Sequence, residues 1–325
     1  MKLACKIGGA LLVVAISVMP AMADNYPNRT VSIVVPFPPG GINDIAARIL
    51  GDELNKKWKQ PVIVENRSGG SGIVGTTSVL NAKPDGYTLL MAETAVAIIN
   101  QFIVPSVPYD FQKSFTPIAS VSDTPIVMVA NMSAPANNMQ EFVTHARKET
   151  LSLASPTIGT LNHITGEWIA LEQGLKIKQV GYRGGSQAAT ALASGEVPYA
   201  LLSYSTAQPY VQNGSAKLLG VSSATRSPLI PDLPTFAEQG IANVTTQQWT
   251  ALFAPVGISE DLVKKIHSDV NEILADPAVQ EKFSKVGTYT APMSTEQFIE
   301  NFNKDRMFLG GVIEKAGIGV KKPAL

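Results

Sequence analysis

Three short stretches combine residue types and spacings suited to holding an anion. The first, PFPPGGIND at residues 36–44, follows the apolar β-branched run VSIVV. Pro36, Pro38 and Pro39 fix φ and withdraw three donors, which makes the turn rigid. Gly40 and Gly41 can adopt φ > 0, so that successive N–H groups converge into a concavity. Asn43 or Asp44 can cap the helix that follows. The first turn of such a helix has unpaired N–H groups and the positive end of the helix dipole, where a carboxylate or phosphate fits. The stretch lacks a Walker lysine, so a nucleotide P-loop is poorly supported. The second stretch, ASPTIGTLNH, sets the hydroxyls of Ser155, Thr157 and Thr160 beside another helix start. The third, YRGGSQAA, offers Gly184 and Gly185 with Ser186 as the expected N-cap. Each alone is compatible with an ordinary turn. Three in one chain point to a shared anion site in a cleft.

Catalytic chemistry is thinly represented. His145, His163 and His267 are the only candidates for a base at neutral pH. His145 and His267 lie in charged helical text and are expected to be solvated, whereas His163 can line the cleft or cap its helix. His163 and Glu167 share a helical face, but two possible ligands do not make a zinc site. There is no G-x-S-x-G elbow, and the only cysteine is Cys5. GSGIVG at residues 70–75 is a literal G-x-G-x-x-G, with Glu93 following after a strand. Four residues separate it from the preceding strand, so a flexible loop leading into a helix is a better account than a dinucleotide site. Arg67 and Arg183 can pair with a ligand or with water, and Trp249 can wall the cleft or join the core. No catalytic residue, metal site or cofactor is assigned.

These stretches sit in a repeated grammar of β-rich run, Gly/Pro/Ser turn and helical stripe. VSIVV leads to DIAARILGDELNKKW, PVIVEN to IVGTTSVLNA, LSLAS to TLNHITGEWIALEQG, and IKQVG to SQAATALASG. YTLLMAE reads as a buried strand, and three helices close the chain. Alternation of this kind predicts an α/β fold with mainly parallel sheets, whose ligands lie beyond the carboxyl ends of the strands. Lys2 and Lys6, the apolar run Ile7 to Met19 and Ala21-Met22-Ala23 have the layout of a secretory leader, expected to be cleaved after Ala23. That leaves a cysteine-free chain with 24 basic and 26 acidic residues after Lys2 and Lys6 are subtracted from 26 and 26. A slightly acidic chain without basic runs argues against nucleic acid or anionic membrane as partner. The expected location is the periplasm.

The chain resembles the Bug-type periplasmic solute-binding proteins, receptors of tripartite tricarboxylate transporters. The resemblance rests on VVPFPPGGINDIAAR, VIVENRSGGSGIVG, AKPDGYTLLM, PYDFQKSFTPI, ASPTIGTLNH, YRGGSQAATALASGEV, RSPLIPDLPTFAEQG and LFAPVGIS, in that order. It implies a two-lobed α/β periplasmic-binding-protein fold of the venus-flytrap, type II-like kind. Residues 24–122 with 247–325 would form one lobe and 123–246 the other. It implies a small organic carboxylate held partly by backbone groups and waters, and delivery to membrane permease subunits. The site so expected takes Pro39, Gly40, Gly41, Ile42, Asn43 and Asp44 from the first loop, and Glu93 and Thr94 from the end of YTLLMAE. From the opposite lobe come Ser155, Thr157, Gly159, Thr160, His163, Tyr182, Gly184, Gly185 and Gln187, with Ser203, Tyr204 and Trp249 completing it. A monomer is expected. Relatives often have Gly-Ile-Gly-Ser-Pro where this chain has Thr157 to Leu161, and Pro-Tyr-Lys-Gly-Gly at Gly181 to Gly185. They commonly carry Asp at the positions of Pro198 and Leu202. With Ile42, the loss at Leu202 points to a more apolar or aromatic acid. Two other functions remain open: a sensor that signals to a membrane partner, and a periplasmic hydrolase using His163.

Overall fold

The computed structural model describes residues 26–320. The leader and its cleavage site therefore lie outside the described residues. The chain opens with strand β1 (Val31–Val35), helix α1 (Ile42–Trp58), β2 (Val62–Asn66), α2 (Ile73–Leu80) and β3 (Thr88–Glu93). A π-helical turn (Ala95–Ile99) runs into α3 (Asn100–Ile103), and α4 (Phe111–Ser114) precedes β4 (Phe115–Thr124). Next come β5 (Ile126–Asn131), α5 (Met139–Lys148), β6 (Leu151–Ser155), α6 (Leu161–Gln173) and β7 (Ile177–Gly181). They are followed by α7 (Gly185–Ala193), β8 (Tyr199–Ser203), α8 (Tyr204–Gln212) and β9 (Ala216–Val221). The chain closes with β10 (Gln248–Pro255), α9 (Glu260–Ala275), α10 (Pro277–Lys285), β11 (Tyr289–Thr290) and α11 (Thr295–Lys315).

Two sheets result, one per lobe. The first has the order β11-β4-β10-β3-β1-β2 and the second β7-β6-β8-β5-β9. The chain crosses between them at Pro125, directly between β4 and β5, and returns along the segment that leads from β9 into β10. The βα units are parallel as expected: β1 with β2 and β3, and β6 with β7 and β8. The prediction of mainly parallel sheets needs correction, because β10 runs antiparallel to β3 and β4, and β5 antiparallel to β8 and β9. Both are crossover strands. A chain arriving from the other lobe enters its new sheet from the cleft end, so it runs against the strands already there.

Local sequence accounts for the main elements. In α1 the residues Ala46, Ala47, Leu50 and Leu54 make a buried stripe at helical spacing that packs under β1 and β3. α6 starts with the Thr160 side chain accepting from His163 N–H and stops at Gly174, which takes φ 61°. α11 begins with a capping box in which Ser294 and Gln297 exchange bonds. Ser186 is not the cap of α7; Gly184 holds that position and Ser186 falls in the first turn. His145 and His267 are also less solvated than expected. His145 bonds Tyr199 and Glu149 at 2.9 and 2.7 Å, and His267 reaches the Ile118 carbonyl at 2.8 Å.

Gly75 fixes the first glycine loop against the GSGIVG loop. A Cβ there would lie 2.5 Å from the Arg67 carbonyl oxygen and 2.8 Å from Pro36 Cα, both backbone atoms that cannot swing aside. Gly75→Ala should therefore destabilise the fold by about 2 kcal/mol. Urea denaturation would check it, the expected outcome being a lower midpoint with an unchanged slope.

Candidate functional site

The carboxyl ends of β1, β3, β6, β7 and β8 deliver the predicted loops to the space between the lobes. Contacts across that space are direct. A Cβ on Gly159 would meet Ile103 Cδ1 of the first lobe at 2.5 Å, and one on Gly287 would meet Ser205 Cα of the second at 2.5 Å. The first glycine loop is shaped differently from its prediction. Gly40 takes the left-handed φ of 87°, but Gly41 is extended at φ −77° and serves as the N-cap of α1 without a side-chain cap bond. Asp44 does not cap the helix. Its carboxylate turns back to accept the Gly40 N–H at 2.9 Å, and takes bonds from Arg48 at 3.1 Å and Asn66 at 2.9 Å. Burial opposes its ionisation, but these donors outweigh burial and hold its carboxyl below the usual range. The Gly40 N–H is thus spent on the loop itself. The N–H groups of Ile42 and Asn43, at the start of α1, have no acceptor among the described residues and remain available to an anion.

The second lobe repeats the pattern. Gly184 N–H donates to the Pro156 carbonyl at 2.7 Å, and Arg183 N–H to Gln187 Oε1 at 3.2 Å, which ties the two loops together. Gly159 takes φ 87°, and its N–H donates to His163 Nδ1 at 3.3 Å. A ring accepting at Nδ1 carries its proton on Nε2, which faces Glu167 at 3.6 Å. Burial lowers the basicity of His163, so it stands as a neutral clamp on the loop. Thr157 Oγ1 donates to the Tyr182 carbonyl at 3.0 Å, and Thr160 Oγ1 to the Thr157 carbonyl at 2.7 Å. Ser155 is fully buried, and its hydroxyl has no partner among the described residues. The Tyr182 hydroxyl donates away from the loops to Glu196 at 2.8 Å. Gly185 packs against Thr206, and Tyr204 N–H donates to the Pro125 carbonyl at 2.8 Å. Pro39 and Ile42 sit exposed and half-buried on the first loop.

A directed chain of hydrogen bonds spans the floor of the cleft. Ser203 Oγ donates to Gln248 Oε1 at 2.8 Å, and Gln248 Nε2 donates to Glu93 Oε2 at 2.8 Å. From the other side Thr250 Oγ1 donates to Asn43 Oδ1 at 2.8 Å, leaving the Asn43 amide to donate to Glu93. Burial pushes the Glu93 carboxyl above its ordinary range, with the Gln248 and Asn43 bonds pulling the other way. Thr94 Oγ1 reaches the Gln247 carbonyl at 3.5 Å. Gln248 and Thr250 were missed at the sequence level. The period-two alternation of QWTALF, once β10 is recognised as a strand, would have put them on one face.

One predicted site residue, Trp249, and Leu202, the position at which relatives carry Asp, sit away from the cleft. Trp249 points to the opposite face of β10 from Gln248, is 5% exposed, and donates from Nε1 to Asp305 at 2.9 Å. Leu202 is buried in the core of the second lobe, packed with the Val127 and Ala188 cluster. Its apolar side chain therefore does not set the polarity of the cleft.

A family model described as the tripartite tricarboxylate transporter family receptor matches residues 46–318. The chain belongs to that family. It is 30% identical over 306 residues to protein BugT of Bordetella pertussis, covering 93% of this chain and 94% of that one. An R. palustris protein solved with adipate is 26% identical with a TM-score of 0.80, covering 90% of this chain and 99% of that one. MatC from Rhodopseudomonas palustris, with bound malate, is 27% identical with a TM-score of 0.75, covering 89% and 100%. The family consists of periplasmic solute receptors of the two-lobed fold. No helix among the described residues is long and apolar enough to cross a membrane.

The two cleft carboxylates titrate with opposite sign. Asp44, lowered in the folded state, contributes stability at neutral pH that is lost as pH falls through its folded value. Glu93, raised in the folded state, contributes stability at acid pH that is lost as pH rises through its folded value. Asp44→Ala should cost about 2 kcal/mol at neutral pH, a deficit that narrows as pH falls through the lowered value of the folded state. Glu93→Gln should gain on the parent protein as pH rises above the ordinary glutamate range, where the parent must ionise a buried carboxyl. Thermal melts of both variants as a function of pH would decide, and parallel curves for variant and parent would contradict the assignment.

Proposed function

We propose that this protein is a receptor that closes its two lobes on a small organic carboxylate and hands it to permease subunits of a tripartite tricarboxylate-type transporter. The observation that carries this reading is the pair of helix starts, α1 on one lobe and α7 on the other, whose Ile42, Asn43, Ser186 and Gln187 N–H groups have no acceptor among the described residues. The moving bodies would be the two lobes, parting at Pro125 and again along the segment between β9 and β10, and the receptor would act as a monomer in the periplasm. Ligand-bound relatives with adipate and malate support a carboxylate as the cargo. Backbone donors suit an anion because they carry no mobile counter-charge and need no reorientation as the cleft shuts. Glu93 refines the choice. Its buried carboxyl, pushed toward the neutral form, would exchange hydrogen bonds with a ligand hydroxyl and would be ionised by a ligand ammonium beside it. This favours a hydroxy acid or amino acid over the purely apolar acid suggested by Leu202 and Ile42.

A hydrolase reading is weaker, because His163 Nδ1 is occupied by the Gly159 N–H and no nucleophile is assigned beside it. A signalling receptor would use the same cleft, and pull-down from a membrane fraction with and without ligand separates it from transport. The central test is a thermal-shift screen of dicarboxylates, hydroxy acids, amino acids and aromatic acids. A ligand at 100 times its Kd should add about 2.7 kcal/mol of stability. Glu93→Gln should narrow the preference for the hydroxy or amino compound over its unsubstituted parent acid by about tenfold. Absence of any stabilising carboxylate would reject the reading.

A further inference from the structure

Behind β10, on the face that Gln248 does not use, lies a cavity of about 970 Å3. Its walls come from both lobes: β4 and α11 on one side, α6 on the other, and the returning crossover segment between them. Its floor holds two acids from distant parts of the chain, Asp123 of β4 and Asp305 of α11. Asp123 is 7% exposed and takes a bond from Gln247 Nε2, while Asp305 takes only the Trp249 indole N–H at 2.9 Å. Each bond uses one oxygen, so the second oxygen of each carboxylate has no donor among the described residues. No basic side chain there pairs with either acid. A third group points to a missing partner. Ser120 is 1% exposed, lines the cavity, and its hydroxyl has no hydrogen-bond partner among the described residues. Ser120 pairs with Ala251, which shares the Trp249 face of the sheet. Aromatic rings complete the enclosure. Trp249 meets Phe298 edge-on at 5.4 Å between centroids, and Trp168 stacks with Phe308 at 6.0 Å.

We propose that this cavity is a second binding site, separate from the carboxylate cleft, for an organic ammonium ion with an aromatic or aliphatic body. An ammonium group donates three hydrogen bonds, which matches the open oxygens of Asp123 and Asp305 and the hydroxyl of Ser120. Its charge supplies the pairing that one buried and one half-buried carboxylate lack. The aromatic side chains that line the cavity, Trp168, Trp249, Phe298 and Phe308, suit its apolar body. A bare metal ion suits the site poorly, since it would leave the aromatic walls and most of the volume unused. The titration of the empty site agrees with this. Burial, then the neighbouring Asp305, pushes Asp123 up to about 7, and burial pushes Asp305 up to about 6 against the Trp249 bond. The other charged or titratable groups facing the site are the Tyr289 hydroxyl beside Asp123, Glu172 bonded by Asn243, Lys304 paired with Glu300, and Lys315 at the rim.

Isothermal titration of the full mature chain with phenethylamine, putrescine, phenylpropionate and phenethyl alcohol tests the site. Phenethylamine should bind saturably at about pH 8, the anion and the neutral alcohol should not bind there, and Trp249 fluorescence should change in step. Affinity should fall about tenfold or more by about pH 5, as the acids take up protons while the amine stays charged. Asp305→Asn, close to isosteric, should weaken phenethylamine by about tenfold and Ser120→Ala by a smaller factor. Both variants should leave carboxylate stabilisation at the cleft unchanged, which also shows that they fold. Failure of both amines to bind, or binding that survives Asp305→Asn and Ser120→Ala undiminished, would overturn the proposal.

Discussion

The period-two alternation of β10 is the constraint on which the rest of the structure depends. This strand returns from the second lobe and runs through the middle of the first sheet, between β3 and β4. Successive side chains must leave opposite faces. Gln248 and Thr250 therefore reach the cleft, where they orient Glu93 and Asn43. Trp249, Ala251 and Phe253 reach the other face and join the core under α11. A one-residue slip of β10 would exchange the two sets, placing an indole against the first glycine loop and an amide in an aromatic core. Pairing on both edges, with β3 on one side and β4 on the other, fixes the register that keeps them apart.

Electrostatics in the cleft follow from how its own carboxylates are neutralised. Asp44 is held ionised by Arg48 and by amide donors, so its charge is spent on shaping the loop rather than repelling a ligand. Glu93 has only amide donors and is pushed toward its neutral form. The helix starts then supply most of the positive potential, as partial charges on fixed N–H groups. An arginine in their place would bind anions more strongly and with less discrimination, and would have to be desolvated each time the lobes shut.

Much of the fold was legible in the sequence, because the βα units write their periodicity plainly. The helical spacing of Ile45, Ile49, Leu50, Leu54 and Trp58 and the cap–stop pair Thr160 and Gly174 are local signals, although the buried stripe turns out to run through Ala46, Ala47, Leu50 and Leu54. Strand direction is not local. IVMVAN of β5 is buried throughout and reads the same for a parallel or an antiparallel partner, so the mixed character of both sheets was hidden. The glycine loops were found, but their internal division was not. Gly40 and Gly41 look equivalent in sequence, and only the return of the Asp44 carboxylate onto the Gly40 N–H makes one left-handed and the other extended. Glu93 stood out at the end of its strand, yet its role depends on Gln248, 155 residues away. Asp123 and Asp305 carried no signal at all, since nothing in either segment announces that tertiary packing will bury them side by side.

A receptor that works as proposed needs closure to be a balanced equilibrium. The polar chain that ties the lobes across the cleft floor is made of neutral hydrogen bonds, Ser203 to Gln248 to the Glu93 carboxyl, each worth on the order of 1 kcal/mol net. Bonds of that size would add little to the packing between the lobes, Gly159 on Ile103 and Trp168 on Phe308. Moving such an equilibrium from about 1:99 to 99:1 takes about 5.5 kcal/mol of differential ligand affinity. A micromolar ligand binds with about 8 kcal/mol, so most of its binding energy would have to be realised only in the closed state. The arrangement of donors meets that requirement. The Ile42 and Asn43 N–H groups belong to one lobe and those of Ser186 and Gln187, at the start of α7, to the other, so an anion would touch both sets only when the lobes have come together.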